Sequence, residues 1–296
     1  MDGVSQLAYL GAGTRDLDGW RKYAVEVLGQ RIMDDSTEHA LYLRCDARHH
    51  RLVVVPSEQD DVEYIGWEVP DRAALQRLSD AVANAGVEIH DGTPVELELR
   101  RVLGMRYFLC PFSGVRMELV YGHQEIGPTF RPSRDINGFR TGAGGLGHAV
   151  LYSSDLARAV DFYVGVLGFG VSDFATFPGL GPVAAFMHCN ERHHSLALFG
   201  MPNPNRKIQH LMFETQELDD VGTTYDVCLD RAITTTSIGR HGNDRAVSFY
   251  FRNPSEWHFE YGWSPRVVDP STWITEQYVA GQPGGVWGHA GLFEMR

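Results

Sequence analysis

The sequence predicts an α+β fold in which one small module, a strand, a helix and then several strands, occurs four times and pairs into two similar halves. Three observations predict it. Residues 7–29 (LAYLGAGTRDLDGWRKYAVEVLG) align without a gap with residues 146–168 (LGHAVLYSSDLARAVDFYVGVLG) at an offset of 139. Within the second half, residues 210–229 (HLMFETQELDDVGTTYDVCL) align with residues 148–167 at an offset of 62. After each helical stretch come short runs rich in β-branched and aromatic residues, as strands require.

The first copy starts with a strand at Leu7. Asp16 then caps a helix, because a short carboxylate can accept from the orphan amides of the first turn. Gly29 stops that helix. Strands follow at residues 40–43 and 52–55. The second copy is weaker, with a strand at 65–69, a helix from about Asp71, and strands at 106–109 and in MELVYG. Residues 122–145 are rich in Gly, Pro and Arg and read as a linker. The third copy repeats the cap and stop at Asp155 and Gly168, with strands at 183–188 and 195–199. The fourth begins at His210 and ends in strands at 247–251 and 257–261. The expected division is 1–122 for the first pair of modules, 123–145 for the linker, 146–288 for the second pair, and 289–296 for a tail.

Composition excludes several functions. The 296 residues carry a net charge of −12, and that average field repels polyanions, so nucleic acid is not an expected partner. No apolar run approaches the length of a membrane span and no secretory leader is visible, so a cytoplasmic location is expected. The four cysteines are scattered without a CxxC and read as buried thiols. Of the 13 histidines, eight follow residue 147.

The repeats equate His148 with His210, each in the first strand of its module, so the two face one interior. Glu260, in the last strand of the fourth module, supplies a third donor. Two neutral imidazoles and one carboxylate form a facial triad that suits non-haem Fe(II), and Mn(II) fits the same donors. His258 shares a face with Glu260 and is a rival ligand. In the first half Tyr9 takes the place of His148, Trp67 that of His210, and Glu118 that of Glu260. Neither Tyr nor Trp replaces a neutral imidazole, so that half is expected to have kept the fold and lost the metal.

Several stretches, in order, resemble the type I extradiol ring-cleavage dioxygenases of the vicinal oxygen chelate superfamily, and among them the 2,3-dihydroxybiphenyl 1,2-dioxygenases and their steroid-catechol relatives. They are GLGHAVL (145–151), FMHCNERHHSLA (186–197), IQHLMFE (208–214), DDVG (219–222), GRHGNDRAVSFYF (239–251), HFEYGW (258–263) and VWGH (286–289). The resemblance covers essentially the whole chain. It implies paired βαβββ modules curled into two barrel-like domains, of which only the second holds iron.

By the resemblance, His148, His210 and Glu260 fall on the iron ligands. Strand period does not choose between His193 and His194; the resemblance places His194 in the site as the acid–base and oxygen-stabilising residue. It places His241 and Tyr250 on the catecholate oxygens, Asn243 and Asp244 in a polar loop by the pocket, and Val150 and Phe186 on its wall. It implies Fe(II), a catecholic substrate and O2, a 2-hydroxy-6-oxo-dienoate product, and a homo-oligomer, an octamer. The loops at 174–182 and 277–285 are expected to set pocket depth. The alternatives on this scaffold are a metal-dependent isomerase or transferase and a metal-free aromatic-binding protein. The first uses a different, more carboxylate-rich ligand set and lacks RHHS and GRHGND, and the second lacks the triad.

Overall fold

The computed structural model describes residues 3–177, 179, 181–201, 205–279 and 285–292. The first module comprises β1 (Gln6–Thr14), α1 (Leu17–Tyr23), β2 (Arg31–Ile32), β3 (Leu41–Arg44) and β4 (Leu52–Pro56). The second comprises β5 (Val62–Glu68), α2 (Arg72–Asn84), β6 (Ile89–Asp91), a short extra helix α3 (Pro94–Arg100), β7 (Gly104–Leu109) and β8 (Arg116–Tyr121). The third runs through β9 (His148–Tyr152), α4 (Leu156–Gly165), β10 (Gly170–Phe177), β11 (Gly181–His188) and β12 (Leu196–Phe199). The fourth runs through β13 (Ile208–Glu214), α5 (Leu218–Asp230), β14 (Gly239–His241), β15 (Val247–Arg252) and β16 (His258–Trp263). Two short strands, β17 (Glu276–Val279) and β18 (Gly285–Trp287), follow.

The expected repeat is what the backbone forms. In every module the first strand lies parallel to the last: β1 with β4, β5 with β8, β9 with β12, β13 with β16. Modules join in pairs through their first strands, antiparallel, as β1–β5 and β9–β13. The result is one sheet in the order β2-β3-β4-β1-β5-β8-β7-β6 and another in the order β17-β10-β11-β12-β9-β13-β16-β15-β14-β18.

Local chemistry explains the punctuation. Asp16 and Asp155 each accept an amide three residues on, from Gly19 at 2.8 Å and from Arg158 at 3.1 Å, satisfying donors the helix cannot. Gly147, just before β9, has φ +42°, and a Cβ there would lie 1.9 Å from the Met212 carbonyl oxygen. Only glycine lets β9 begin so close to β13, and that approach sets the register of His148.

One apolar core runs through both halves. Trp20 of α1 packs on Trp257 and Phe259, and Phe162 of α4 on Phe108. Buried rings of this size contribute about 1.5–3 kcal/mol each. Polar ties cross with them: Trp20 Nε1 donates to Ser255 Oγ at 2.9 Å, and Tyr261 hydroxyl to the Leu28 carbonyl at 2.6 Å. The segment between the halves is threaded into this junction. Arg134 donates to the Val27 carbonyl, Asn137 to Asp220, and Phe139 is buried. The four cysteines are buried and free. Among the described residues no helix is long and apolar enough to cross a membrane. Residues 178, 180 and 280–284 of the loops expected to set pocket depth, and 293–296 of the expected tail, lie outside the described residues.

Candidate metal centre and active site

Residues directly opposite one another in adjacent strands share a face, so register places the site. One row across the second sheet reads Asp173, Phe186, Ala197, Val150, His210, His258. The next reads His148, Met212, Glu260, Tyr250. Six of the ten residues that sequence assigned to the site, His148, Val150, Phe186, His210, Tyr250 and Glu260, thus lie in two neighbouring rows on one face.

Within these rows three donors converge. His148 Nε2 and His210 Nε2 are 3.0 Å apart, and each lies 3.2 Å from Glu260 Oε2. All three side chains are buried. Among the described residues this is the group of His, Cys, Asp or Glu donors whose spacing suits a metal ion. Donors bonded to one cation at about 2.1 Å and at right angles stand about 3 Å apart, so the donor set and its spacing fit a six-coordinate ion with one face occupied by protein. His258 stands opposite His210 in register, yet it is not in the group. Its buried Nε2 has no hydrogen-bond partner among the described residues, and burial lowers its pKa to about 3.

The protonation states suit ligation. Burial lowers the pKa of His210 to about 4 against the pull of Glu260, so its imidazole is neutral at neutral pH. Burial opposes charge on Glu260, but the imidazoles of His148, His210 and His241 set against it outweigh burial and hold the carboxyl well below the usual range. Gln209 accepts at His210 Nδ1, the tautomer that leaves Nε2 as a lone-pair donor.

The remaining predicted residues flank this trio. The His194 ring stacks on that of His148 at 3.9 Å, with Phe186 edge-on to it at 5.1 Å. On the other side, His241 Nε2 lies 3.0 Å from Glu260 Oε1 and 3.0 Å from the Tyr250 hydroxyl. Burial, then the charges of Glu260 and Asp244, push Tyr250 well above an ordinary phenol, so it remains a donor. Val150 is buried beside His210. Asp244 accepts from the Ala246 amide and the Asn243 carbonyl accepts from Arg266, so the hydrogen bonds of these two shape the loop between β14 and β15. His289, assigned by sequence to a tail, is buried with its ring 4.2 Å from that of His241.

The first half corrects one assignment. Tyr9 pairs with Gly66, and Gly66 with Glu118, as His148 pairs with Met212 and Met212 with Glu260. The residue matching His210 is therefore Tyr64, opposite Gly11, and not Trp67. Strand β5 starts earlier than expected, and its pairing with β1 is broken by two register shifts, which upset the alternation count. Trp67 instead packs on Phe169. Glu118 is buried and held by the Tyr9 hydroxyl at 2.7 Å, Arg100 at 3.0 Å and Arg116 at 2.8 Å.

Sequence reasoning also missed a repeat. Residues 48–50 and 192–194 both read Arg-His-His. In both, the arginine pairs with a glutamate near the end of a first strand, Arg48 with Glu68 and Arg192 with Glu214. That identity is visible in the sequence and locates His50 as the counterpart of His194.

Fold and site together define a metal-dependent enzyme of paired βαβββ modules. Residues 145–261 match the glyoxalase/bleomycin resistance protein/dioxygenase superfamily, and residues 7–57 match dihydroxybiphenyl dioxygenase BphC D1. The chain is 39% identical over 271 residues to 1,2-dihydroxynaphthalene dioxygenase of Sphingobium xenophagum, covering 90% of each. It is 39% identical over 299 residues to biphenyl-2,3-diol 1,2-dioxygenase of Pseudomonas sp. strain KKS102, covering 99% of each. The crystal structure of a halotolerant catechol dioxygenase superposes with a TM-score of 0.89 at 35% identity, covering 98% of this chain and 95% of that one. The chain belongs to the extradiol dioxygenases of this superfamily.

Proposed function

We propose that this protein opens the ring of a bicyclic or polycyclic catechol beside its diol, using O2 and Fe(II), to give a 2-hydroxy-6-oxo-dienoate. The observation that carries the reading is the convergence of His148 Nε2, His210 Nε2 and Glu260 Oε2 between His194 and the His241–Tyr250 pair. Relatives named for biphenyl-2,3-diol and 1,2-dihydroxynaphthalene support the substrate class.

His148, His210 and Glu260 hold the ion, and Mn(II) suits the same donors. Bound there, Fe(II) favours the ionised diol and links the electron-rich ring to dioxygen. The protein's own part is proton handling and positioning. Burial, then the neighbouring His148, keeps His194 well below an ordinary histidine, so its imidazole is neutral, and its place against His148 makes it the proton acceptor of this reading. Tyr250, protonated, and His241 orient the diol oxygens. Val150 and Phe186 pack on the aromatic rings. Asn243 and Asp244 shape the rim. The substrate is an uncharged diol, so an acidic chain needs no steering field to collect it.

Oxygen uptake by protein reconstituted anaerobically with Fe(II) tests the reading. The panel is biphenyl-2,3-diol, 1,2-dihydroxynaphthalene, a 3-alkylcatechol, a seco-steroid catechol and catechol. A bicyclic diol should give the highest kcat/KM and a yellow product. Absence of uptake with every member of the panel would sink the proposal.

A further inference from the structure

His193 and His194 meet through their Nδ1 atoms, so the proton on one ring depends on the other. The two buried Nδ1 atoms lie 3.1 Å apart. Imidazole nitrogens at that distance share one proton, one donating and the other accepting, so the two tautomers are linked. If His193 Nδ1 donated, its Nε2 would be a bare lone pair facing Asp173 Oδ2 at 3.4 Å. If His194 Nδ1 donates, His193 Nε2 presents a proton to that carboxylate. Asp173 is 1% exposed, and neither of its oxygens, nor His193 Nε2, has a hydrogen-bond partner among the described residues. At 3.4 Å the contact is an ion-pair distance and not a hydrogen bond, and only the second arrangement turns an N–H and not a lone pair toward the buried carboxylate.

The same chain of three groups recurs in the half without a metal triad. His49 Nδ1 lies 3.1 Å from His50 Nδ1, and His49 Nε2 lies 3.1 Å from Asp35 Oδ2. The device therefore belongs to the module and not to one loop.

We propose that Asp173 is a positioning residue that acts through His193 to hold His194 in its Nδ1–H tautomer, with the Nε2 lone pair left for the substrate. The inference rests on the reading of His194 as the proton acceptor. When His194 Nε2 takes the diol proton, an O–H bond breaks and an N–H bond forms, and the ring becomes an imidazolium that still donates through Nδ1 to His193. That proton returns to the product from the same Nε2. His193 and Asp173 transfer none; their part is to hold the orientation and tautomer of the His194 ring through Nδ1.

Asp173→Asn tests this, because its amide can donate to His193 Nε2 and so reverse both tautomers. Expected is a fall in kcat of about a hundredfold or more with KM and metal content retained, and partial rescue by Asp173→Glu. Imidazole 15N spectra of the histidine-labelled, metal-free full chain give a readout apart from turnover, with the His194 signals identified by their loss in His194→Ala. The wild type should show the Nδ1–H form and Asp173→Asn the Nε2–H form. An Nε2–H form in the wild type overturns the proposal even if the variants do not fold. So does an unchanged kcat in Asp173→Asn while His194→Ala is inactive, or a loss of metal that accounts for the whole decrease. A fully active His194→Ala overturns instead the reading on which the proposal rests.

Discussion

Where the C-terminal half carries His148 and His210, the N-terminal half carries Tyr9 and Tyr64 in the same register. Both halves keep the carboxylate of the last strand, Glu260 in one and Glu118 in the other. The difference lies in what meets its charge. Around Glu260 stand three imidazoles. Around Glu118 stand two guanidiniums and a phenol hydroxyl. Space differs accordingly. A Cβ on Gly66 would lie 2.5 Å from the Tyr9 ring, and one on Gly11 would lie 2.1 Å from the Tyr64 ring. Met212 and Val150 occupy those places in the other half. A fold duplicated once can thus carry a metal centre in one copy and a filled, internally neutralised core in the other.

Breaking each carboxylate in turn gives the largest contrast. Glu260→Gln should abolish metal retention and turnover, read by elemental analysis and oxygen uptake. Glu118→Gln should leave metal per folded chain unchanged but lower stability by about 3–5 kcal/mol, because Arg100 and Arg116 lose their buried counter-charge. Denaturant unfolding checks that.

The histidines predict an acid limit for the metal-free protein. Burial places His210 and His289 at about 4 and His258 at about 3 in the folded state, below the ordinary value near 6.5. The unfolded chain therefore binds more protons between those values, so stability is full above about pH 6.5 and is lost as pH falls toward 4. Each of these groups should remove about 2 kcal/mol between pH 7 and 5. Melting temperatures across that range measure it. A smaller effect is expected for Tyr250→Phe, with metal retained and kcat/KM reduced about tenfold for loss of one substrate hydrogen bond. The smallest is expected for Tyr9→His with Tyr64→His. Two new imidazoles should not capture a second ion while Arg100 and Arg116 hold Glu118, so metal stoichiometry should stay at one per chain.

Much of this comparison is legible in the sequence, and the misses have physical causes. His148 and His210 emerge because their modules repeat without a gap through the first strand and helix, and Glu260 follows as the carboxylate of a last strand facing the same space. Tyr64 does not, because two register shifts between β1 and β5 upset the alternation that the count relies on. Helix α3 has a full capping box in Thr93 and Glu96, with Pro94 in the first turn. It interrupts the strand–helix–strands pattern and has no counterpart among the described residues of the other modules. Asp173 sits far in sequence from His193. Only the register that sets Asp173 beside Phe186 brings it to the face His194 serves.

The central claim is that one ion, held in the C-terminal half, carries ring opening. An anaerobic titration of metal-free protein with Fe(II), followed by oxygen uptake with biphenyl-2,3-diol, tests it directly. Activity should be absent without metal, rise linearly and level off at one equivalent per chain, and Glu260→Gln should stay flat throughout. Turnover in metal-free protein, a plateau at two equivalents, or an active Glu260→Gln would contradict it.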